Sequence, residues 1–205
     1  EGVAEHAMMM MLATGRRLPF CDSELREGRW HSNTFRSSAR QLFGSTVGII
    51  GFGRIGKQVA KRLIGFDTKT IYTDLLEIAP EIESELKSSR VDIDTLLTES
   101  DFVTLHVPLT ELTHHLIDEV ALNKMKTGAT LINCARGPVV SEVALIAALK
   151  SGHIGGAGLD VYVQEPPSDN TLTGRVEVVA TPHIAGSTAE AQELVGIEAA
   201  SSVRE

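Results

Sequence analysis

The sequence predicts a doubly wound α/β fold, in which helices cover both faces of a parallel sheet. Two observations predict it. Short β-branched or aliphatic runs alternate with longer helical stretches after position 44, and the runs are nearly apolar throughout, which is typical of strands covered on both faces. Six runs are predicted as strands, at 46–50, 69–73, 102–105, 129–133, 157–160 and 176–180.

Candidate capping residues mark the ends of the helical stretches between these strands. Glycine accepts the left-handed conformation that closes a helix, and a short polar side chain accepts hydrogen bonds from the first free amides of a helix. The candidates are Gly65 and Gly152 at C-terminal ends and Asp94, Asp118 and Ser141 at N-terminal ends.

An apolar helix is predicted at the start of the chain, from Val3 to about Leu18. It carries four consecutive methionines and is apolar nearly all round, so it must be buried on all sides. It either threads the core of this domain or packs against a second copy, and methionine-rich surfaces adapt to either role. Of the two roles we favour the dimer contact. A shorter helix with Asp22 as candidate N-cap and a loop over 31–40 follow.

The chain is interpreted as one domain with three parts. Residues 1–43 form a helical preamble and dimer contact, residues 44–186 form the sheet, and residues 187–205 form a C-terminal helix. Ser187 and Glu190 have the spacing of a capping box, which predicts where that helix begins. The start at Glu1, already in helical pattern, predicts a piece of a longer chain.

Composition argues against several classes of protein. The chain has 27 Asp and Glu against 19 Lys and Arg, a net charge of -8, without the basic cluster that nucleic-acid binding needs. Its two cysteines, Cys21 and Cys134, offer no metal-ligand spacing and no disulfide framework, so we expect no metal centre and a cytoplasmic setting. The longest apolar run, 7–13, is far shorter than the roughly 20 residues that span a bilayer.

A phosphate-binding loop follows the first predicted strand. Gly51, Gly53 and Gly56 form a Gly-x-Gly-x-x-Gly motif that opens an amphipathic helix. The first glycine permits a tight turn, the second lets the backbone approach a pyrophosphate, and the third lets helix and strand pack closely. The helix N-terminus adds amide hydrogens and a positive dipole. In this context the motif predicts a Rossmann-like dinucleotide site; the alternative is a tight turn alone.

Asp74 is the predicted ribose-binding residue. It ends the second predicted strand, about 20 residues beyond the glycine loop, where a carboxylate accepts hydrogen bonds from both ribose hydroxyls of an adenosine. A carboxylate would repel a 2′-phosphate, so NAD is predicted in preference to NADP. The alternative role of Asp74 is to cap a helix.

Three later strand ends carry groups suited to chemistry, namely Arg136, Glu165 and His183. In an open α/β sheet the ligand crevice lies outside the carboxyl ends of the strands. Taken singly, each residue has an ordinary explanation, such as a surface ion pair or a histidine bonded to backbone. Behind a dinucleotide loop, the three together suit hydride transfer between a nicotinamide and a 2-hydroxy or 2-oxo acid.

The three side chains suit complementary tasks in such a reaction. Arg136 can hold a carboxylate through two parallel hydrogen bonds and stabilise negative charge on the reacting oxygen. A proton must move as the hydride moves, and histidine titrates near neutrality. A Glu165 close to His183 would favour the imidazolium and fix its tautomer.

In combination these motifs resemble the nucleotide-binding domain of the D-isomer-specific 2-hydroxyacid dehydrogenases, a family that includes D-3-phosphoglycerate, D-lactate and glyoxylate/hydroxypyruvate enzymes. The resemblance runs from Val3 almost to the C-terminus. The motifs that carry it are the glycine loop, 106–110 with Thr113, 133–137, 158–161 with Glu165 and Pro166, and 181–187.

The resemblance implies NAD as cofactor, Arg136 as the binder of the substrate carboxylate, Glu165 as the partner of the histidine and His183 as the acid/base. It also implies that Arg54 and Ile55 touch the pyrophosphate, Asp74 the ribose and Asp160 the nicotinamide carboxamide. The remaining residues implied at the cofactor, besides the three glycines, Arg136 and His183, are His106, Val107, Pro108, Thr113, Cys134, Ala135, Ala185 and Gly186.

Two departures from the family pattern limit these expectations. Ser141 stands where the family usually has an acidic residue, although it can still cap a helix. The family's substrate-binding domain is absent, so we expect NADH binding without useful catalysis by this chain, and the choice among phosphohydroxypyruvate, pyruvate and glyoxylate stays open. The resemblance also implies a homodimer through this domain.

Two other functions remain open. One is an NAD(H)-sensing regulatory module, like the C-terminal-binding-protein co-repressors, which resemble this family and keep the Arg136, Glu165 and His183 set. The other is a structural α/β domain without a ligand. A structural domain would not bind NADH, whereas a dehydrogenase and a regulatory module would. Turnover of 2-oxo acids then separates the dehydrogenase from the regulatory module.

Overall fold

The computed structural model describes residues 1–190 and contains a seven-stranded sheet. The strands are β1 Thr46–Ile50, β2 Lys69–Thr73, β3 Ser88–Arg90, β4 Phe102–Leu105, β5 Ala129–Asn133, β6 Ile154–Leu159 and β7 Val178–Ala180. Their order is β3-β2-β1-β4-β5-β6-β7, and every neighbouring pair is parallel. The predicted doubly wound α/β fold is confirmed.

Seven α-helices accompany the sheet in the described part of the chain. They are α1 Gly2–Gly15, α2 Leu18–Arg26, α3 Arg54–Leu63, α4 Pro80–Glu85, α5 Ile93–Glu99, α6 Glu119–Lys124 and α7 Glu142–Lys150, with 3-10 turns at Ile64–Phe66 and Gly137–Val139. Among residues 1–190, none of the helices has both the length and the apolar character needed to cross a membrane.

The core is divided between the two faces of the sheet. Successive strand residues point to opposite faces, and the two hydrophobic clusters separate in the same way, with Ile50 and Leu131 in one and Ile49 and Ile132 in the other. The first cluster includes residues of α5, α6 and α7, whereas the second includes residues of α1 and α3. Near-continuous apolar strands are therefore needed, as the sequence pattern predicts.

Four of the six predicted strands have the predicted bounds, while the other two begin at different residues. β6 begins at Ile154, before two consecutive glycines, and β7 begins at Val178. β3 was not predicted because its sequence, Ser-Ser-Arg, has no apolar run. Within residues 1–190 its single neighbour is β2, at the edge of the sheet, where a short polar strand is tolerated.

Three of the predicted caps are confirmed. Asp118 and Ser141 accept hydrogen bonds from Ala121 N, at 2.9 Å, and Ala144 N, at 3.4 Å, at the first turns of α6 and α7. Gly152 follows α7 with a φ of +76°. Ser141 thus keeps the capping function despite its departure from the family pattern.

Three other capping predictions are wrong. The N-cap of α5 is Asp92, two residues before Asp94. Gly65 lies inside the 3-10 turn that extends α3, and Asp67 takes the left-handed position after that turn. Asp22 lies inside α2, which begins four residues earlier with a proline in its first turn, and its carboxylate pairs with Arg26 at 2.7 Å.

Only one side of helix α1 packs into the core, so within the described chain the expectation of burial on all sides is wrong. Met10 and Met11 are fully buried, and a side chain at Gly158 would come within 2.9 Å of the Met10 Cβ, so the helix packs directly on β6. Its outer side is nevertheless open, since Met9 is 45% exposed and Leu12 is 40% exposed. The predicted dimer contact on that side stays a prediction.

The remaining predicted segments lie at the two ends of the sheet domain. Residues 31–40 form turns, as predicted. The C-terminal helix predicted over 187–205 falls outside the described residues from position 191 onward, although residues 189 and 190 are helical.

Candidate active site

The predicted site residues lie along one edge of the sheet. All strands run in the same direction, so their carboxyl ends meet at this edge. The glycine loop follows β1, Asp74 follows β2, residues 106–113 follow β4, Arg136 follows β5, Asp160 and Glu165 follow β6, and His183 follows β7. A cavity of about 760 Å³ opens beside the glycine loop, and its lining includes Gly51, Gly53, Asp74, His106 and Thr113.

The three glycines of the loop are required for different physical reasons. Gly51 has a φ of +93°, and a Cβ there would lie 2.5 Å from the carbonyl oxygen of His106. A Cβ at Gly56 would lie 2.2 Å from the Gly51 oxygen, so α3 packs directly on the turn. Gly53 has an ordinary φ of −73°, and nothing lies within 4 Å of a Cβ placed there. The fold therefore does not need glycine at position 53, whereas a closely bound phosphate does.

Asp74 is bonded to the glycine loop. Its Oδ2 accepts a hydrogen bond from Phe52 N at 2.6 Å, and its Oδ1 accepts one from Leu76 N at 2.9 Å. A carboxylate has about four acceptor positions, so two remain for the hydroxyls of a ribose. The helix-cap alternative is wrong, because the N-cap of the following helix α4 is Ala79.

The pyrophosphate side of the loop is open to ligand. Arg54 and Ile55 form the first turn of α3, and both are exposed. Among residues 1–190, the Arg54 guanidinium has no hydrogen-bond or ion-pair partner. A free cation at the start of a helix can meet a phosphate group together with the helix amides.

A tight loop after β4 closes the cavity. Thr113 fixes it, since its Oγ1 donates to the Pro108 oxygen at 2.6 Å and accepts from Thr110 N at 2.8 Å. Val107 lies against Gly51 at the base of this loop. At the same place the His106 Nε2 is 3.0 Å from Thr104 Oγ1.

His106 carries an orphaned polar atom beside the cavity. Its Nδ1 is buried and has no hydrogen-bond partner in the described part of the chain. Withdrawal of the ring from water lowers the pKa of His106 to about 4, so the imidazole is neutral at pH 7. A buried polar group without a partner is costly, which suits a site completed by a ligand.

The turn that carries Arg136 is held by the buried side chain of Asn133. The Asn133 Nδ2 donates to the Arg136 oxygen at 3.0 Å, and its Oδ1 accepts from Ala135 N at 3.0 Å. Arg136 itself is exposed, and its only side-chain bond in the described part is to the Ala135 oxygen at 2.6 Å. Cys134 is buried, which raises the pKa of its thiol to about 12 and keeps it protonated.

Glu165 and His183 meet directly, as predicted. The Glu165 Oε2 is 2.7 Å from the His183 Nδ1, and the Glu165 Oε1 accepts from Tyr162 N at 3.0 Å. These bonds, His183 first, hold the pKa of Glu165 below its usual range, and the positive charge of Arg136 acts in the same direction. Since Nδ1 is taken by the carboxylate, the Nε2 of His183 is left to exchange a proton with a ligand.

Asp160 has a structural role that its place in the sequence does not indicate. Its side chain is 1% exposed, and its Oδ1 accepts from Thr181 Oγ1 at 2.6 Å and from Ile184 N at 2.8 Å. Its Oδ2 accepts from Ala185 N at 2.8 Å. The carboxylate therefore anchors the loop that carries His183. Its contact with a nicotinamide carboxamide stays a prediction, because in this structure other groups cover it.

The site residues fit a dinucleotide. Gly53 has open space at its Cβ position, Asp74 has spare acceptor positions and His106 has an unpartnered Nδ1, and all three residues line the same cavity. In residues 1–190 no group of three or more His, Cys, Asp or Glu side chains is arranged to hold a metal ion.

The chain is similar to proteins of known family. The profile described as "D-isomer specific 2-hydroxyacid dehydrogenase, NAD binding domain" matches residues 8–185. A hydroxypyruvate reductase from Thermotoga maritima is 46% identical over 199 residues, which are 96% of this chain and 63% of that protein. A D-3-phosphoglycerate dehydrogenase from Mycobacterium bovis is 42% identical over 204 residues, which are 100% of this chain and 38% of that protein.

Solved structures give the same result. A D-lactate dehydrogenase from Aquifex aeolicus, crystallised in complex with NAD and lactic acid, superposes with a TM-score of 0.90 and 34% sequence identity. That match covers 100% of this chain and 65% of the other. The chain thus spans less than two thirds of the length of each of these three relatives.

Two glycine-to-alanine variants separate the ligand contact from the fold. We expect Gly53→Ala to change the free energy of unfolding by no more than about 1 kcal/mol, because its Cβ meets open space. We expect the same variant to weaken NADH binding about tenfold or more, because the Cβ occupies the space of a bound phosphate. We expect Gly56→Ala to cost about 3 kcal/mol, because its Cβ would overlap a backbone oxygen. Urea denaturation and NADH fluorescence titration measure the two quantities. Equal stability of the two variants, or unchanged NADH affinity of Gly53→Ala, would contradict this account of the loop.

Proposed function

This chain belongs to the D-isomer-specific 2-hydroxyacid dehydrogenase family, as its NAD-binding domain, and from that premise we propose that it serves hydride transfer between a D-2-hydroxy acid and the matching 2-oxo acid. One observation carries the proposal. The hydrogen-bonded Glu165 and His183 pair lies at the same sheet edge as the glycine loop. Arg136 follows β5, which lies between the glycine-loop strand β1 and the strands β6 and β7 that precede the pair. A proton carrier, an anion binder and a nucleotide site are the parts that this reaction requires.

His183 handles the proton in this proposal. When bound, NAD would accept the hydride in oxidation of the hydroxy acid, and NADH would donate it in reduction of the oxo acid. When a 2-oxo acid is reduced, the His183 Nε2 gives its proton to the carbonyl oxygen, and in the reverse direction it removes the proton from the hydroxyl. Glu165 is ionised at neutral pH because its pKa lies below its usual range, so it stabilises the imidazolium and keeps Nδ1 protonated.

Arg136 holds the substrate in this proposal. Its exposed guanidinium offers a two-pronged donor to the substrate carboxylate, beside the carbonyl that is reduced. The same positive charge stabilises the negative charge that develops on the reacting oxygen. The turn held by Asn133 keeps the Arg136 backbone in place.

Replacement of His183 tests the assignment of the proton carrier. In the intact protein we expect His183→Ala to lower turnover of 2-oxo acids roughly 10²- to 10⁴-fold, while the NADH dissociation constant changes less than about threefold. His153→Ala is the matched control, because His153 bonds to the Leu122 oxygen, remote from this loop.

Glyoxylate, hydroxypyruvate, phosphohydroxypyruvate and pyruvate serve as the panel of substrates. Turnover that survives in His183→Ala would disprove the assignment. A wild-type protein that binds NADH and turns over none of them would favour the NAD(H)-sensing regulatory module instead.

The preference for NAD over NADP is proposed to depend on Asp74. We expect the unmodified chain to bind NADH at least tenfold or so more tightly than NADPH, since a carboxylate repels a 2′-phosphate. Asp74→Asn removes the charge and keeps the side-chain volume, and we expect it to lower the ratio of NADH affinity to NADPH affinity about tenfold. Glu77→Gln, which removes a charge from an exposed residue of the same segment, is the control. Equal affinities in the unmodified chain would refute the ribose argument.

A second copy of the chain is proposed to bind the outer side of α1. A groove of about 840 Å³ lies there, and its lining is mostly apolar, with Met8, Met9, Leu12, Ala13, Leu18 and Phe66 beside the charged Glu5, Arg16 and Arg62. An exposed apolar groove with a charged rim is typical of a protein interface.

Analytical ultracentrifugation tests this proposed interface. We expect the mass of two copies for the wild type and of one copy for Leu12→Lys, because a lysine inserts an unpaired charge into the apolar contact. Val143→Lys changes an exposed valine outside the groove and leaves the mass unchanged. A wild type that sediments as one copy at micromolar concentration would rule the interface out.

A further inference from the structure

A histidine on α1 lies against the loop that carries His183. His6 is 11% exposed, and its Nε2 is 2.9 Å from Thr181 Oγ1 and 3.5 Å from Asp160 Oδ1. The two residues His6 and Thr181 are 175 positions apart in the chain. His6 has no part in the chemistry proposed above.

The direction of the hydrogen bonds in this cluster is determined by proton count. The Thr181 hydroxyl has one proton, and it donates that proton to Asp160 Oδ1 at 2.6 Å. The bond between His6 and Thr181 must therefore run the other way, with the His6 Nε2–H as donor. The result is a directed relay from His6 through Thr181 to Asp160.

The relay ends on groups that flank His183. Asp160 accepts from the amides of Ile184 and Ala185, directly after His183 in the chain. The His183 amide in turn donates to the Thr181 oxygen at 3.1 Å. His183 has a φ of +55°, a left-handed conformation that a residue other than glycine holds only where its surroundings enforce it.

The first turn of α1 also packs against this loop. A Cβ at Gly2 would lie 3.3 Å from the Ala185 oxygen, and the Val3 side chain lies 3.9 Å from where a Cβ of Gly186 would stand. His6 follows one turn later on the helix. The loop is therefore held between Asp160 on one side and α1 on the other.

We propose that His6 is a positioning residue for His183. The hydrogen bond from His6 orients the Thr181 hydroxyl so that it donates to Asp160. The Asp160 carboxylate then holds the backbone that directly follows His183, and with it the left-handed conformation of His183. The inference rests on the proposed function in one respect, because it takes His183 as the proton carrier. The role in holding the loop is a separate claim and is measured separately.

Amide hydrogen exchange on the 205-residue chain tests the loop. We expect His6→Leu to speed exchange at Ile184 and Ala185 about tenfold, while the Thr130 amide, bonded to the Asp101 oxygen, is unchanged. His6→Gln keeps a donor near the Nε2 position and should stay within about threefold of wild type. His153→Leu loses a comparable bond from a histidine to a backbone oxygen and should leave Ile184 and Ala185 unchanged.

Equal exchange at Ile184 and Ala185 in wild type and His6→Leu would overturn the proposal. So would an equal effect from His153→Leu, because the change would then reflect general loss of stability. If His6→Leu fails to fold, Thr181→Val breaks the same relay from the loop side and must raise the same two exchange rates. Unchanged rates in Thr181→Val would also overturn it.

Kinetics of the intact protein test the catalytic consequence. We expect His6→Leu to lower kcat roughly 10- to 100-fold, because His183 is displaced, while KM for NADH changes less than about threefold. His6→Gln should restore kcat to within about threefold of wild type. A rise in KM with unchanged kcat would contradict a positioning role. If His6→Leu exchanges faster at Ile184 and Ala185 but the intact wild-type protein turns over no 2-oxo acid, the proposed function is refuted and the loop contact is supported.

Discussion

The buried carboxylate of Asp160 is the contact on which the candidate active site depends. It follows β6 and accepts three hydrogen bonds from the segment after β7, so it joins the two strand ends that carry Glu165 and His183. A buried charge is costly unless it is fully hydrogen-bonded, so movement of that segment would leave the carboxylate without partners. Glu165 and His183 are both partly exposed, so burial alone does not hold them together, and the Asp160 contacts help to keep the His183 loop beside Glu165.

The nucleotide half of the site is built by backbone packing. Gly51 and Gly56 let the turn, the end of β4 and α3 approach more closely than side chains allow. Asp74 adds a bond from the end of β2 to Phe52 within the turn. Since every strand is parallel, these groups and the Arg136, Glu165 and His183 set lie on one edge of the sheet.

The parts of the structure that depend on local pattern could be predicted from the sequence. The bounds of β1, β2, β4 and β5 follow from short apolar runs, and Asp74 and the Arg136, Glu165 and His183 set are indicated by their place after strands. Apart from the glycine motif, the other candidate cofactor residues are implied by the family resemblance. The polar edge strand β3 has no such run. The relay from His6 to Asp160 joins residues 175 positions apart, and no spacing rule indicates such a contact. The packing of α1 against the sheet could not be predicted from its sequence, because an apolar helix suits a core and an interface equally well.

Mapping of bound NADH by amide chemical shifts tests the central claim most directly, namely that one preformed edge of the sheet holds both the nucleotide loop and the His183 loop. We predict that titration of the chain with NADH shifts two sets of amides, 51–56 and 183–186, and that both sets saturate with the same dissociation constant. Shifts confined to the glycine loop, or two different constants, would contradict the claim that the two loops form one site.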